Sequence, residues 1–109
     1  MREESKAPEL GLGRFSDPSL VILTCLADGP KHGYAMIRES QDLGFPLGLG
    51  TLYGALNRLE RLGMVEALTP EDRRRPYRLT DAGVSYLRGH LGRLNRVVAR
   101  GWQKLGEAT

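Results

Sequence analysis

Apolar residues recur along the chain in several rhythms, and each rhythm predicts a different element. Between Gly50 and Gly63, winding the chain at about 100° per residue puts Leu52, Ala55, Leu56, Leu59 and Leu62 on one side and Thr51, Gly54, Asn57, Arg58 and Arg61 on the other. This spacing predicts an amphipathic helix. Its outer side carries no carboxylate, because Glu60 lies at the flank beside Tyr53, and such a surface suits a polyanion. Upstream, Leu20 to Ala27 is apolar on nearly every side and predicts a helix in the middle of a core. Ser16 is placed to cap that helix, Asp17 and Pro18 fall in its first turn, and Asp28-Gly29-Pro30 stops it. Lys31 to Leu43 carries Tyr34, Ile37 and the aliphatic part of Gln41 along one stripe, which predicts a shorter helix broken by Gly44 to Gly48. Two helices joined by a short turn, the second with a basic outer side, make a helix-turn-helix.

Past Gly63 the rhythm changes. Met64 to Thr69 alternates well enough for a short strand, and Tyr77 to Leu79 is its antiparallel mate across Pro70 to Pro76, a loop containing Arg73, Arg74 and Arg75. Strand, arginine-rich loop and strand directly after a helix-turn-helix predict a wing. Thr80 is a good cap for a last helix, with Asp81 where the helix dipole favours a negative charge. Along it Leu87, Leu91, Leu94, Val98, Gly101 and Leu105 recur at steps of four and three, the spacing of a helix-helix seam. Gly83, Gly89, Gly92 and Gly101 each cost a helix about 0.8 to 1 kcal/mol relative to alanine, so packing must hold it together. The core left after three short helices and a small sheet is too small to cover the stripe, which predicts a homodimer; the plainer alternative is that the helix folds back on its own domain. The expected class is mainly α with a small two-stranded wing: residues 1–14 a flexible tail, 15–79 a winged helix-turn-helix, and 80–109 a dimerisation helix.

Composition narrows the chemistry only a little. The chain of 109 residues has room for one domain, and a formal charge of +3 permits nucleic acid or an acidic partner without demanding either. The single cysteine, Cys25, cannot form an internal disulfide; it sits in an apolar run and reads as a small packed hydrophobe, with redox sensing as the alternative. His32, His90 and Cys25 lack metal-ligand spacing, so no metal and no cofactor is expected, and His32 reads as a hydrogen-bonded structural residue. No apolar run approaches the roughly 20 residues that span a bilayer, and Met1 to Arg14 lacks an apolar signal-peptide core. The expected location is the cytoplasm, with no membrane partner. No nucleophile, base and orienting group assemble with any specificity and no phosphate loop matches, so the chain is not expected to be an enzyme.

The chain resembles the PadR family of transcriptional regulators, in a short form with a single C-terminal helix. The resemblance rests on His32-Gly33-Tyr34 with Ile37, on Gly50-Thr51-Leu52-Tyr53 with Leu56 and Arg58-Leu59-Glu60, on Gly63-Met64-Val65, and on Arg75 with Tyr77-Arg78-Leu79-Thr80 to Gly83. It implies a homodimeric repressor of double-stranded DNA that is released by a small molecule or another cue. The implied DNA contacts are Thr51, Tyr53, Asn57 and Arg58 on the recognition helix and Arg73, Arg74 and Arg75 on the wing; Arg61 joins them from the outer side of the helix. Gly48 and Leu49 stand where family members often have serine and proline, so the hydroxyl that could cap the helix and hold a phosphate is missing, and Gly54 replaces the usual proline or similar residue.

Each assignment has a plainer counterpart. Arg73 to Arg75 read as phosphate or minor-groove contacts, or as a solvated loop in which Asp72 partly offsets Arg73. Tyr53 borders the apolar side, as a phosphate-contacting hydroxyl, a lid on the core, or both. Asn57 has the groups for a paired hydrogen bond to adenine, yet asparagine is also ordinary on an exposed helix. Because some PadR-like proteins bind flat aromatic compounds between such helices, the resemblance makes Trp102, with Val98, the expected lining of a pocket for a small aromatic effector; otherwise the ring simply packs. The competing function is a winged-helix protein-protein interaction module that uses the leucine seam and binds no DNA.

Overall fold

The computed structural model describes residues 18–107. Helix α1 (Pro18–Cys25) runs into a 3-10 turn (Leu26–Asp28) and is followed by α2 (Gly33–Asp42), α3 (Leu49–Arg61), strands β1 (Val65–Ala67) and β2 (Tyr77–Leu79), and α4 (Asp81–Lys104). The fold is mainly helical with a two-stranded antiparallel sheet, the winged helix-turn-helix that the hydrophobic pattern predicts. The expected tail over 1–14 and the Ser16-Asp17 start of α1 lie outside the described residues.

Helix α1 occupies the centre because it has no polar side to give to water: Val21, Ile22, Leu23 and Cys25 are all buried, and α2, α3 and α4 pack around it. Helix α3 contributes Leu52, Ala55, Leu56 and Leu59, and α4 contributes Leu87. Two expectations need correction. Leu62 is 62% exposed: as the C-cap of α3 its amide still donates to the Arg58 carbonyl, but at 100° per residue it falls at the edge of the buried stripe rather than within it. The inner side of α2 is Gly33, Met36 and Ser40, not the stripe of Tyr34, Ile37 and Gln41; Tyr34 and Gln41 are exposed and Ile37 is only partly buried.

Ser40 turns the helix this way because it can be buried without cost to its hydroxyl. That hydroxyl donates to the Ile37 carbonyl at 2.7 Å and accepts from the Leu47 amide at 3.0 Å, so both its donor and its acceptor are satisfied without water. The Phe45 amide also donates to the Ser40 carbonyl at 3.0 Å. Ser40 thereby sets the turn between α2 and α3.

Lys31 joins three elements. Its amide donates to the Tyr77 carbonyl at 3.1 Å and its carbonyl accepts from the Tyr77 amide at 3.0 Å, which lays β2 against the α1–α2 connection. Its ammonium donates to the Cys25 carbonyl at 2.6 Å and pairs with Asp28, holding the Asp28 carboxyl below the usual carboxylate range. In the sheet Val65 pairs with Leu79, Glu66 with Arg78 and Ala67 with Tyr77. β1 is shorter than the Met64 to Thr69 segment that alternation predicts, although the Leu68 amide still donates to the Pro76 carbonyl at 2.8 Å.

The junction with α4 is tight. Thr80 caps the helix by accepting from the Gly83 amide at 3.0 Å, and its hydroxyl donates back to the Gly63 carbonyl at 2.5 Å. Gly83 packs on the backbone carbonyl of Met64, leaving no room for a Cβ. Beyond Leu87 the helix leaves the domain, and Leu91, Val97, Val98 and Trp102 are exposed. Among the described residues no helix is long and apolar enough to cross a membrane.

The glycines of α4 should therefore respond oppositely to alanine. Gly83→Ala is expected to lower stability despite the better helix propensity, because the new methyl meets the Met64 carbonyl. Gly92→Ala, which meets nothing, is expected to gain up to about 1 kcal/mol. Urea unfolding of the two variants checks this, and equal shifts would remove the steric account of Gly83.

Candidate nucleic-acid interface

The outer side of α3 is held in place by its inner one. With Leu52, Ala55, Leu56 and Leu59 buried, Thr51, Gly54, Asn57, Arg58 and Arg61 are necessarily turned outward, and all five are exposed. Arg58 and Arg61 lie in the last turn, where the helix dipole favours cations. The Arg58 Nη2 donates to the Ser19 hydroxyl at 2.9 Å, so this guanidinium is braced against the first turn of α1. The N-cap of α3 is Gly48, which has no side-chain oxygen to offer the first-turn amides.

Tyr53 links the two most distinctive sequence blocks. Its ring lies on Gly33, where a Cβ would collide with the Tyr53 hydroxyl and come within 3.1 Å of Leu52 Cδ2. A side chain at residue 33 would have to displace the Tyr53 ring, which closes over the start of α2 while remaining 41% exposed. Both roles read from the sequence, lid and presented hydroxyl, are geometrically available to it.

The wing loop is more ordered than the sequence suggests. Glu71 and Arg74 exchange backbone hydrogen bonds at 2.6 and 2.8 Å, and the two residues between them, Asp72 and Arg73, have φ of 49° and 66°. This is a two-residue hairpin turn of the I′ kind. The usual signal for it is Asn-Gly or Asp-Gly; here arginine follows the aspartate. An arginine at positive φ carries backbone strain of about 1–2 kcal/mol.

The hairpin tip faces α2 and α3. Arg73, Arg74 and Arg75 line a cleft of about 350 Å³ together with His32, Gly33, Tyr34, Tyr53 and Tyr77. Burial pushes the Tyr77 phenol above its ordinary pKa, with the charge of Glu60 adding to the effect, so it remains a neutral donor at physiological pH. His32 Nε2 lies 4.0 Å from Glu71 Oε1. The sequence did not single out His32, Tyr34 or Tyr77 for this site. The spacing of Tyr34 put it on the inner stripe, and no local pattern marks the convergence of residues 32–34, 53 and 73–77.

The other expected sites lie away from this cleft. Leu87 is buried in its own domain, while Leu91, Val98 and Leu105 are exposed and Leu94 is half-buried; Leu105 is the C-cap of α4. Val98 lines an open hollow on α4 with Leu91, Gly92, Leu94 and Asn95. Trp102 sits one turn further on and is 38% exposed. Cys25 is buried, and desolvation with the nearby Glu39 charge pushes its thiol up to about 11; it is protonated at neutral pH, unlike a reactive thiolate.

Residues 22–89 match the model of the transcriptional regulator PadR-like family. The chain belongs to that family. Among solved structures, it resembles a PadR family transcription regulator from Clostridium difficile R20291 with a TM-score of 0.71 and 20% identity, covering 81% of this chain and 96% of that one. It is also similar to a PadR family transcriptional regulator from Eggerthella lenta DSM 2243, at 31% identity and a TM-score of 0.62, covering 94% and 92%. Bacillus subtilis PadR in complex with operator DNA matches at 25% identity and a TM-score of 0.62, covering 67% of this chain and 45% of that one. A curated relative, an uncharacterized 37.1 kDa protein in transposon TN4556 of Streptomyces fradiae, is 41% identical over 88 residues, covering 80% of this chain and 26% of that protein. The chain thus spans about a quarter of the length of that relative.

The strained wing turn gives a direct expectation. Arg73→Gly relieves the positive-φ cost and should stabilise the domain by about 1 kcal/mol while removing one cation from the cleft. Chemical denaturation measures it; unchanged or lower stability would argue against strain at the tip.

Proposed function

We propose that this PadR-like protein is a homodimeric, DNA-binding repressor that leaves its operator when a small molecule binds. The observation that carries this reading is the exposed, carboxylate-free side of α3, with Thr51, Asn57, Arg58 and Arg61, in a fold that also presents Arg73, Arg74 and Arg75 on the adjoining wing. Supporting it, Bacillus subtilis PadR, a relative of similar fold, has been solved in complex with operator DNA.

In this reading residues 15–79 bind DNA and 80–109 make the dimer. Thr51, Tyr53, Asn57, Arg58 and Arg61 face the major groove, the wing arginines meet phosphate or the minor groove, and each α3 takes one half-site. The half-sites lie about 10 bp apart or at a multiple of that spacing. The dimer contact is the run of Leu91, Leu94, Val98 and Leu105 along α4 and its C-cap, continuing from Leu87. The protein works in the cytoplasm.

A ligand acts only through its different affinities for DNA-competent and DNA-incompetent arrangements of the dimer. Trp102 and Val98 line the site for a small aromatic effector between the two α4 helices. Trp102 is the only tryptophan in the chain, so its fluorescence should change when aromatic compounds that release DNA are titrated in. Release of DNA with an unaltered spectrum would remove Trp102 from the effector site.

The function is tested by gel shift on the DNA upstream of its own coding sequence, at several salt concentrations and with random duplex as competitor. A specific, salt-sensitive shift is expected. Arg74→Ala should weaken binding to all sequences alike and lower the salt slope by about one unit for each phosphate left unneutralised. No shift at low salt with either duplex would favour a protein-interaction module built on the apolar run of α4.

A further inference from the structure

We propose that the outer side of α4 is a docking surface for an acidic peptide segment of another protein, one in which carboxylates flank an apolar side chain. The inference goes beyond the regulator reading and does not depend on DNA binding. Residues 82–106 contain Arg88, Arg93, Arg96, Arg100 and Lys104 and no carboxylate; Asp81 precedes the stretch and Glu107 follows it. These five cations exceed the net +3 of the whole chain, so the remainder is net negative and the excess of positive charge resides in this one helix.

Within the helix the charge forms a stripe. Arg93, Arg96, Arg100 and Lys104 follow one another at steps of three, four and four, which stacks them along one side, and all four are exposed. The helix dipole accounts for Lys104, in the last turn, but its effect fades within a turn and does not reach Arg93 or Arg96. Like charges at i and i+4 destabilise a helix, and this one is already weakened by Gly89, Gly92 and Gly101. Opposite charge supplied from outside removes that repulsion.

The stripe also borders an apolar depression. Arg96, Val97, Arg100, Gly101 and Lys104 line an open hollow of about 470 Å³. Val97 is 61% exposed there, and Gly101 keeps the hollow clear, since a Cβ on it would meet nothing within 4 Å. The alkyl stems of the cations add apolar contact while their charged heads form a rim. This combination selects the partner. Carboxylates suit the rim, where the arginine fork pairs with two oxygens at once, and an apolar side chain suits the hollow. A phosphodiester backbone would satisfy the cations but has no such side chain to bury on Val97. Carboxylates three and four residues apart on a helix repeat at about 5–6 Å, the spacing of the stripe itself. The run of Leu87, Leu94, Val98 and Leu105 lies on the other side of the helix from Arg96 and Arg100, so a dimer formed through that run leaves the hollow open.

The probe is a synthetic helical peptide with glutamates at steps of three and four around one leucine, fluorescently labelled and titrated into the full chain at physiological ionic strength. Saturable binding is expected, with NMR amide shifts centred on residues 96–104. The double variant Arg96→Gln, Arg100→Gln should weaken it at least about tenfold. Val97→Ser, or a peptide with serine in place of its leucine, should weaken it several-fold at unchanged charge. The three protein positions are exposed, and the peptide change leaves the protein untouched, so loss of fold does not account for the result. Absence of saturable binding, indifference to both Val97 and the leucine, or binding that responds to Arg74→Ala instead of the α4 variant would overturn the proposal. So would a random duplex that displaces the peptide from the unaltered chain and no longer binds the α4 double variant, since the surface would then be one for nucleic acid. Failure of the chain to shift its upstream DNA bears on the regulator reading alone.

Discussion

Two backbone hydrogen bonds between Lys31 and Tyr77, at 3.1 and 3.0 Å, decide where the wing stands. The sheet itself is only three residue pairs long, and an isolated two-stranded hairpin is marginal in water. Clipped to the α1–α2 connection, β2 gains a partner on its other edge, and the hairpin tip is carried to α2 and Tyr53. The Lys31 ammonium stiffens the same joint by holding the Cys25 carbonyl and Asp28. One residue thus fixes the end of α1, the approach to α2 and the direction of the wing arginines.

A second joint, at the opposite end of the sheet, fixes α4. Thr80 reaches both Gly83 and Gly63, and the Met64 carbonyl rests where Gly83 has no side chain. Helix α4 has 24 residues, about 36 Å at the usual rise, so a small rotation at this joint moves its far end by a long way. A helix attached this firmly transmits its orientation to the domain. In the proposed dimer that rigidity lets a change between two α4 helices alter the spacing of two α3 helices. The exposed Leu91 and Val98 would supply part of the association energy, since full burial of such a side chain contributes about 1.5–3 kcal/mol.

Sequence periodicity revealed the order of elements because each helix and strand buries a side whose rhythm depends only on its own geometry. The central position of α1 followed from its lack of any polar side, and the outward set on α3 followed from Leu52, Ala55, Leu56 and Leu59. Periodicity failed where one residue breaks the pattern. Ser40 is polar and buried because the Ile37 carbonyl and the Leu47 amide satisfy its hydroxyl, and a serine in a sequence does not declare such partners. Leu62 is apolar and exposed because it lies at the end of α3 and at the edge of its buried stripe. The cleft was illegible for another reason: His32, Tyr53 and Arg74 are distant in sequence, and the backbone pair that gathers them requires nothing particular of the side chain at either position.

The surface of α3 and the cleft are supported by different means, and this separates what can vary in each. Outward positions on α3 carry little packing; a side chain at Gly54, for example, would meet nothing within 4 Å. Such positions can change without disturbing the core, which is what a surface that reads different sequences requires. The cleft is otherwise. Gly33 cannot gain a side chain without displacing Tyr53, and the arginines depend on a strained tip whose two ends are hydrogen-bonded to each other. In the proposed regulator, the phosphate, a constant element of the duplex, would be the counterpart of the constrained half, and the variable base sequence that of the free one.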